Sequence, residues 1–293
     1  MQEPQPHTAT TAPTLEGKTI LITGGSMGLG YEICRQLTRA NANIIICSRT
    51  NKDLQLAKRN LKALGHKGKI WSKTCDISNP EDTKQLAAFV ESKTEKLHGI
   101  VMNAGVYGPM GPIETLDTAD WCEALSINLT SIFLLAKYFV PKLKAQGEGK
   151  IVIISGGGAS APLPNISAYA ASKAGAVRLA ETLAEELKPF NIQVNAVAPG
   201  PMATRMMSQA IAAGPSTVGQ GFYDKNLAWQ AQAAGPEKGA KLVLYLLATS
   251  EPQLTGLLIS AQWDPWETLE QDLLTFDADT YKLRRTVPKT QKI

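Results

Sequence analysis

A chain of 293 residues with 44% hydrophobic and 19% charged residues has the makeup of a globular protein with a large core. A net charge of only +4 and the lack of a long Lys/Arg run argue against a nucleic-acid partner, and no long apolar run or basic leader argues for a membrane span or export. Cys34, Cys47, Cys75 and Cys122 lie scattered without the spacing of a metal site or a disulfide framework, so no metal and a cytoplasmic location are expected.

Residues 1–15, rich in Pro, Thr and Gln and without periodicity, read as a flexible leader. From Lys18 onward, short β-branched runs alternate with amphipathic segments. Thr19–Thr23, Asn43–Cys47, Lys69–Thr74, Gly99–Asn103, Lys150–Ile154, Ile192–Val197 and Gly256–Ser260 read as strands. Residues 29–40, 51–64, 80–96, 118–145, 167–188 and 236–249 read as helices. Strands that are apolar on both faces and separated by helices predict a parallel sheet of about seven strands, covered on both sides. Right-handed crossovers then give one α/β, Rossmann-type doubly wound domain.

The first strand runs directly into Gly24-Gly25-Ser26-Met27-Gly28-Leu29-Gly30 and then a helix. Glycines at this junction permit a tight turn and close approach of a pyrophosphate, which the helix N-terminus favours. The motif predicts a dinucleotide site. Cys47-Ser48-Arg49-Thr50 ends the second strand without the carboxylate that would bind the ribose hydroxyls of NAD. Arg49 can pair with a 2′-phosphate, so NADP(H) is favoured over NAD(H). Asp76, followed by Ile77, ends the third strand, where it can accept a hydrogen bond from an adenine amino group. Asn103-Ala104-Gly105 ends the fourth, with small residues where the backbone must pass close to a cofactor.

Tyr169 and Lys173 lie four residues apart on a predicted helix and share one face. An ammonium beside a phenol favours the phenolate and draws its pKa down from about 10 towards the working range. The pair reads as a proton-transfer device for a carbonyl/alcohol couple.

Taken in order, TGGSMGLG at 23–30, Asp76, NAG at 103–105, Asn128, YAASK at 169–173 and Pro199-Gly200 followed by Thr204 resemble the short-chain dehydrogenase/reductase family, over about residues 17–260. The resemblance implies a single oxidoreductase domain, 16–262, with a mobile substrate lid over about 201–235. It also implies a small-molecule carbonyl or alcohol substrate and assembly as a homodimer or homotetramer. Tyr169 is then the general acid/base, and Lys173 lowers its pKa and holds the nicotinamide ribose. Asn128 would hold a relay water. Pro199, Gly200, Met202 and Thr204 would line the nicotinamide end.

Two stretches depart from the family pattern. Gly156, in Ile154-Ser155-Gly156-Gly157-Gly158, stands where family members carry a serine that binds the substrate oxygen. Ser155 is one position early, and strand alternation would turn its side chain to the other face. The flexible turn keeps Ser155 a candidate, beside the N–H groups of the turn itself. The glycine also leaves open a cofactor-binding regulator or scaffold with little turnover, or an epimerase that uses the cofactor transiently. Residues 263–293 form a C-terminal extension whose Trp263 and Trp266 are expected to be buried, at a subunit interface or against the lid. The glycine turn and this tail resemble a branch associated with sugar or polysaccharide metabolism, which suggests a sugar-derived substrate.

Overall fold

The computed structural model describes residues 14–232 and 235–286. Residues 1–13 of the expected leader and 287–293 of the expected extension lie outside these. In chain order the elements are β1 (Thr19–Thr23), α1 (Gly28–Arg39), β2 (Asn43–Ser48), α2 (Asn51–Lys62), β3 (Ile70–Thr74), α3 (Pro80–Lys93) and β4 (Gly99–Met102). There follow α4 (Thr118–Leu125), α5 (Ser131–Gln146), β5 (Gly149–Ile154), α6 (Ser167–Leu187) and β6 (Ile192–Ala198). The chain continues through α7 (Arg205–Ala213), α8 (Pro215–Val218), α9 (Gln220–Ala231), α10 (Glu237–Ala248), β7 (Leu258–Ser260) and α11 (Leu269–Asp272).

The seven strands form one parallel sheet in the order β3-β2-β1-β4-β5-β6-β7. Because β1 pairs with β2 on one side and β4 on the other, the winding reverses there. A crevice therefore opens beyond the carboxyl ends of the central strands.

Unbroken apolar runs make sense in this position. Ile20 and Ile22 of β1, Ile44 and Ile46 of β2, and Val152 and Ile154 of β5 pack into the layer under α1, α2 and α10. Their alternates Leu21, Ile45, Ile151 and Ile153 pack into the layer under α3, α5 and α6. Each such residue is worth roughly 1.5–3 kcal/mol on full burial, so a polar residue at either parity would be costly. The helices show one apolar stripe instead: α2 buries Leu54, Ala57 and Leu61 and leaves its other faces exposed.

Local signals set several ends. Asn79 caps α3 by accepting hydrogen bonds from the N–H groups of Glu81 and Asp82, with Pro80 at the first turn. Gly147, at φ +68°, closes α5 in the left-handed conformation.

Four expectations change. The helix predicted over 118–145 is interrupted by one wide π turn, Ser126–Thr130, which contains Asn128. The whole stretch Thr118–Gln146 is as long and apolar as a membrane span, yet α5 sends Leu135, Phe139 and Leu143 into the core beneath the sheet. Leu15, assigned to the leader by composition, is buried, with its N–H donating to the Ala40 carbonyl.

The tail is likewise stitched to the domain. Trp266 and Leu269 enter the core, the N–H of Leu258 donates to Tyr281 O, and the N–H of Leu283 donates to Glu181 Oε1. Trp266 meets the expectation of burial by packing on Tyr245 and donating Nε1–H to Ala261 O, whereas Trp263 is 69% exposed on the single chain.

Candidate active site

The β1–α1 turn is built by contacts that leave no room for a side chain. Gly24 and Gly28 have φ of +66° and +54°, in the left-handed region that favours glycine. A Cβ on Gly30 would lie 2.5 Å from Asn103 Nδ2 and 2.9 Å from the Gly24 carbonyl carbon. Asn103 holds the turn in place: its Nδ2 donates to Thr23 O at 2.9 Å, while its own N–H donates to Thr23 Oγ1 at 3.0 Å. The Ala104 N–H shares that hydroxyl, at 3.2 Å. Ser26 is half-buried beside it, Met27 is exposed, and Leu29 packs into the core.

Met27 caps α1 with extended backbone and makes no side-chain hydrogen bond, and the first turn carries no acid. The leading N–H groups of α1 thus lack side-chain partners and sit at the positive end of the helix dipole. This cradle fits a dinucleotide pyrophosphate.

The remaining predicted cofactor residues follow the carboxyl ends of β2, β3 and β6. Ser48 closes β2, and exposed Arg49 lies 3.9 Å from Glu123 Oε1. The two face each other across a cleft of about 290 Å³ lined also by Val106, Gly108 and Ile127. Asp76 Oδ1 accepts from the N–H and hydroxyl of Ser78, at 3.0 and 2.7 Å, and Ile77 is buried. Pro199 is buried, and Gly200 turns the chain at φ +85°. The N–H of Thr204 donates to Met202 O at 2.8 Å. A Cβ on Gly28 would come within 3.8 Å of the Thr204 methyl, so the segment after β6 meets the glycine turn.

On α6, Tyr169, Ser172 and Lys173 all face inward. Lys173 Nζ donates to Ile154 O at 2.8 Å and lies 5.6 Å from the centre of the Tyr169 ring. Asn128 makes three side-chain hydrogen bonds: Oδ1 accepts from Val106 N–H at 2.8 Å, and Nδ2 donates to Val106 O at 2.8 Å and to Ser172 Oγ at 3.0 Å. Ser172 Oγ in turn donates to Tyr169 O at 2.7 Å. The π turn presents this amide to the loop after β4, and such turns recur at functional sites. A Cβ on Gly105 would lie 3.1 Å from Asn128 Oδ1 and 3.4 Å from Lys173 Nζ, so the loop passes directly over the pair.

Burial dominates the electrostatics here. It holds the Tyr169 phenol well above the usual tyrosine range, with a further push from Tyr107, and it lowers the Lys173 ammonium to about 8. Burial thus outweighs the lowering of Tyr169 expected from Lys173, whose ammonium donates to the Ile154 carbonyl.

Gly156 has a specific neighbour. A Cβ at that position would lie 3.0 Å from Tyr169 Cζ and closer still to its hydroxyl oxygen, so the tyrosine occupies the space a side chain at 156 would need. Ser155 continues the strand, its N–H donating to Val197 O, and its buried Oγ has no hydrogen-bond partner among the described residues. Ser160 is exposed in the turn, and Ser167, the first residue of α6, accepts from Trp121 Nε1–H at 3.1 Å. Sequence reasoning missed Tyr107 altogether. Its ring meets Tyr169 edge-on at 4.9 Å and Phe222 of α9 at 6.3 Å. An aromatic residue in a loop otherwise made of small residues was the available signal.

Comparison with known proteins shows the family and the fold. The family model described as short chain dehydrogenase matches residues 18–213. The human protein named dehydrogenase/reductase SDR family member 4 is 34% identical over 194 residues, covering 65% of this chain and 68% of its own. Among solved structures, an NAD+-bound xylitol dehydrogenase superposes with a TM-score of 0.76 at 25% identity, covering 84% of this chain and 97% of the other. An actinorhodin polyketide ketoreductase variant with NADPH gives 0.75 at 26% identity, covering 83% and 95%.

Proposed function

Because this chain belongs to the short-chain dehydrogenase/reductase family and is an oxidoreductase that takes a nicotinamide cofactor, we propose that it uses NADP(H) to interconvert a carbonyl and a secondary alcohol, with Tyr169 as general acid/base. The observation that carries this reading is the meeting of Tyr169, Lys173 and Asn128 at the mouth of the crevice that begins at the glycine turn. When bound, the nicotinamide supplies or takes up the hydride.

The chain's own residues do the rest. Gly24, Gly28 and Gly30 let the backbone approach the pyrophosphate, and the free N–H groups of α1 bind it. Ser26, Met27 and Leu29 complete that turn. Asp76 and Ile77 would border the adenine. Asn103, Ala104 and Gly105 form the floor, and Pro199, Gly200, Met202 and Thr204 form the nicotinamide end.

Tyr169, held protonated by burial, gives its proton to the carbonyl oxygen in the direction of reduction. Lys173 is still cationic near neutral pH and stabilises the charge that remains on the tyrosine. Asn128 fixes the loop over both. Arg49, with no acid on its own segment, would hold a 2′-phosphate, for which it must leave its loose partner Glu123. The solved relatives include both an NAD+-bound and an NADPH-bound protein, so the preference for NADP(H) rests on Arg49. A sugar-derived substrate, suggested by the glycine turn and the tail, and a homodimer or homotetramer belong to the same proposal.

The test is a panel of ketoses, glyceraldehyde and 2,3-butanedione, assayed by loss of reduced nicotinamide absorbance. We expect turnover with NADPH, and a loss of about 100-fold or more in kcat for Tyr169→Phe. Arg49→Ala should weaken NADPH by roughly tenfold and leave NADH unaffected. No turnover on any panel member, or full activity of Tyr169→Phe, overturns the reading.

A further inference from the structure

We propose that Tyr107 is a second hydroxyl donor to the substrate oxygen, filling the role for which the Gly156 turn has no side chain; this rests on reading Tyr169 as the acid. No serine hydroxyl is available beside Tyr169. Position 156 has no side chain, and the tyrosine itself blocks the space one would need. Ser155 Oγ is buried and makes no hydrogen bond, to Tyr169 or to any other described residue.

Tyr107 is the second phenol packed against Tyr169. Its ring stands edge-on to Tyr169, with 4.9 Å between centres and 70° between planes. The two phenols are close enough for a charge on Tyr107 to oppose ionisation of Tyr169. Burial alone raises Tyr107 to about 12, with no hydrogen-bond partner contributing to the shift. Phe222 of α9 also meets the ring, with 6.3 Å between centres and 80° between planes.

A donor of this kind works only if it is held in place before the charge develops. The loop that carries Tyr107 is pinned at three points. Asn103 is tied to Thr23, Val106 exchanges both of its backbone hydrogen bonds with the Asn128 amide, and Gly108 is pressed against Ala124. A Cβ at 108 would lie 2.5 Å from the Ala124 methyl, and φ is +73°, so the loop takes this path only with glycine. Tyr107 thus belongs to a rigid segment although it lies outside any helix or strand.

The division of labour follows from the surroundings. In reduction the carbonyl carbon accepts the hydride of the reduced nicotinamide, the π pair of the C=O bond moves onto oxygen, and oxygen takes the Tyr169 proton. Tyr169 is left as a phenolate one helical turn from Lys173. Tyr107, without a cation of its own, keeps its proton throughout and donates only a hydrogen bond to the charge building on that oxygen.

The full chain is assayed as wild type, Tyr107→Phe and Tyr169→Phe, with the carbonyl compound of highest turnover in the panel above. NADPH affinity is measured separately by fluorescence. Phenylalanine keeps the ring and its packing. For Tyr107→Phe, kcat should fall by about 100-fold at every pH from 6 to 9, with NADPH affinity held within about twofold. Wild-type kcat in Tyr107→Phe beside an inactive Tyr169→Phe overturns the role of Tyr107 and leaves the acid assignment intact. Loss of NADPH affinity in step with kcat makes Tyr107 a packing residue and also overturns the proposal. Full activity of Tyr169→Phe removes the acid assignment, and this inference with it.

Discussion

The two ends of the crevice solve different problems with the same residue. At the nucleotide end, glycines are needed because backbone meets backbone: Gly30 packs on the Gly24 carbonyl, and Asn103 ties both to β1. At the substrate end, Gly156 is needed because a side chain from elsewhere, the Tyr169 phenol, fills the space above it. The first arrangement is local and spans one strand–helix junction. The second joins the turn after β5, helix α6, the loop after β4 and helix α9, far apart in sequence. Glycine is thus a cofactor signal in one place and a mark of long-range packing in the other.

The largest effect should come from breaking the local end. Gly30→Ala forces a methyl into the Gly24 carbonyl and the Asn103 amide, neither of which can move freely. NADPH affinity should fall by about 100-fold, with a stability loss of roughly 1–3 kcal/mol from overpacking. Titration with NADPH and a denaturant melt measure the two; unchanged affinity would mean that the glycine turn is not the pyrophosphate cradle.

Breaking the other end should separate chemistry from binding. Gly156→Ala pushes against the movable tip of Tyr169, so kcat should fall by about tenfold to 100-fold while NADPH affinity stays within about twofold. A kcat equal to wild type would show that the position of the phenol over Gly156 is irrelevant to turnover.

The smallest effect is a pH dependence of stability, set by buried groups at both ends. Lys173 and Lys150 are both lowered by burial from 10.5 to about 8. Between those values the unfolded chain binds more protons than the folded one, so these groups make stability rise with pH over that window. Cys34, raised by burial, and Cys47, raised by its hydrogen bond with Cys75 and by burial, oppose the trend as pH passes about 9, and buried Tyr169 joins them as it passes about 10. Unfolding midpoints of the cofactor-free protein should therefore climb from pH 8 towards 9, and more shallowly in Lys173→Met. An equal slope in that variant would place the shifted group elsewhere.

Much of the nucleotide end was legible before any coordinates, because its geometry is encoded within one short stretch. A strand, three glycines and a helix start leave few conformations, and β1 and α1 adopt the predicted one. The sheet was legible for a related reason: β1, β2 and β5 alternate their side chains between two apolar layers, so no polar parity could appear in those runs. The substrate end resisted. Ser155 looked like a donor by proximity in sequence, yet its hydroxyl is sealed without a partner, while Tyr107 carried no spacing signal towards Tyr169. Trp263 and Trp266 look alike in sequence, but only Trp266 lands against Tyr245 and a free carbonyl.

By itself, then, the sequence determined the parallel α/β sheet, the glycine turn and the Tyr169–Lys173 face of α6, because hydrophobic period, turn chemistry and helical spacing act over a few residues. Only the tertiary structure decided which group meets the Tyr169 hydroxyl, where the Lys173 ammonium is spent, and how Asn128 holds the loop that aims Tyr107. Those contacts depend on how α4, α5 and α6 pack around the π turn. Packing is a property of the assembled chain, which no single segment of it carries.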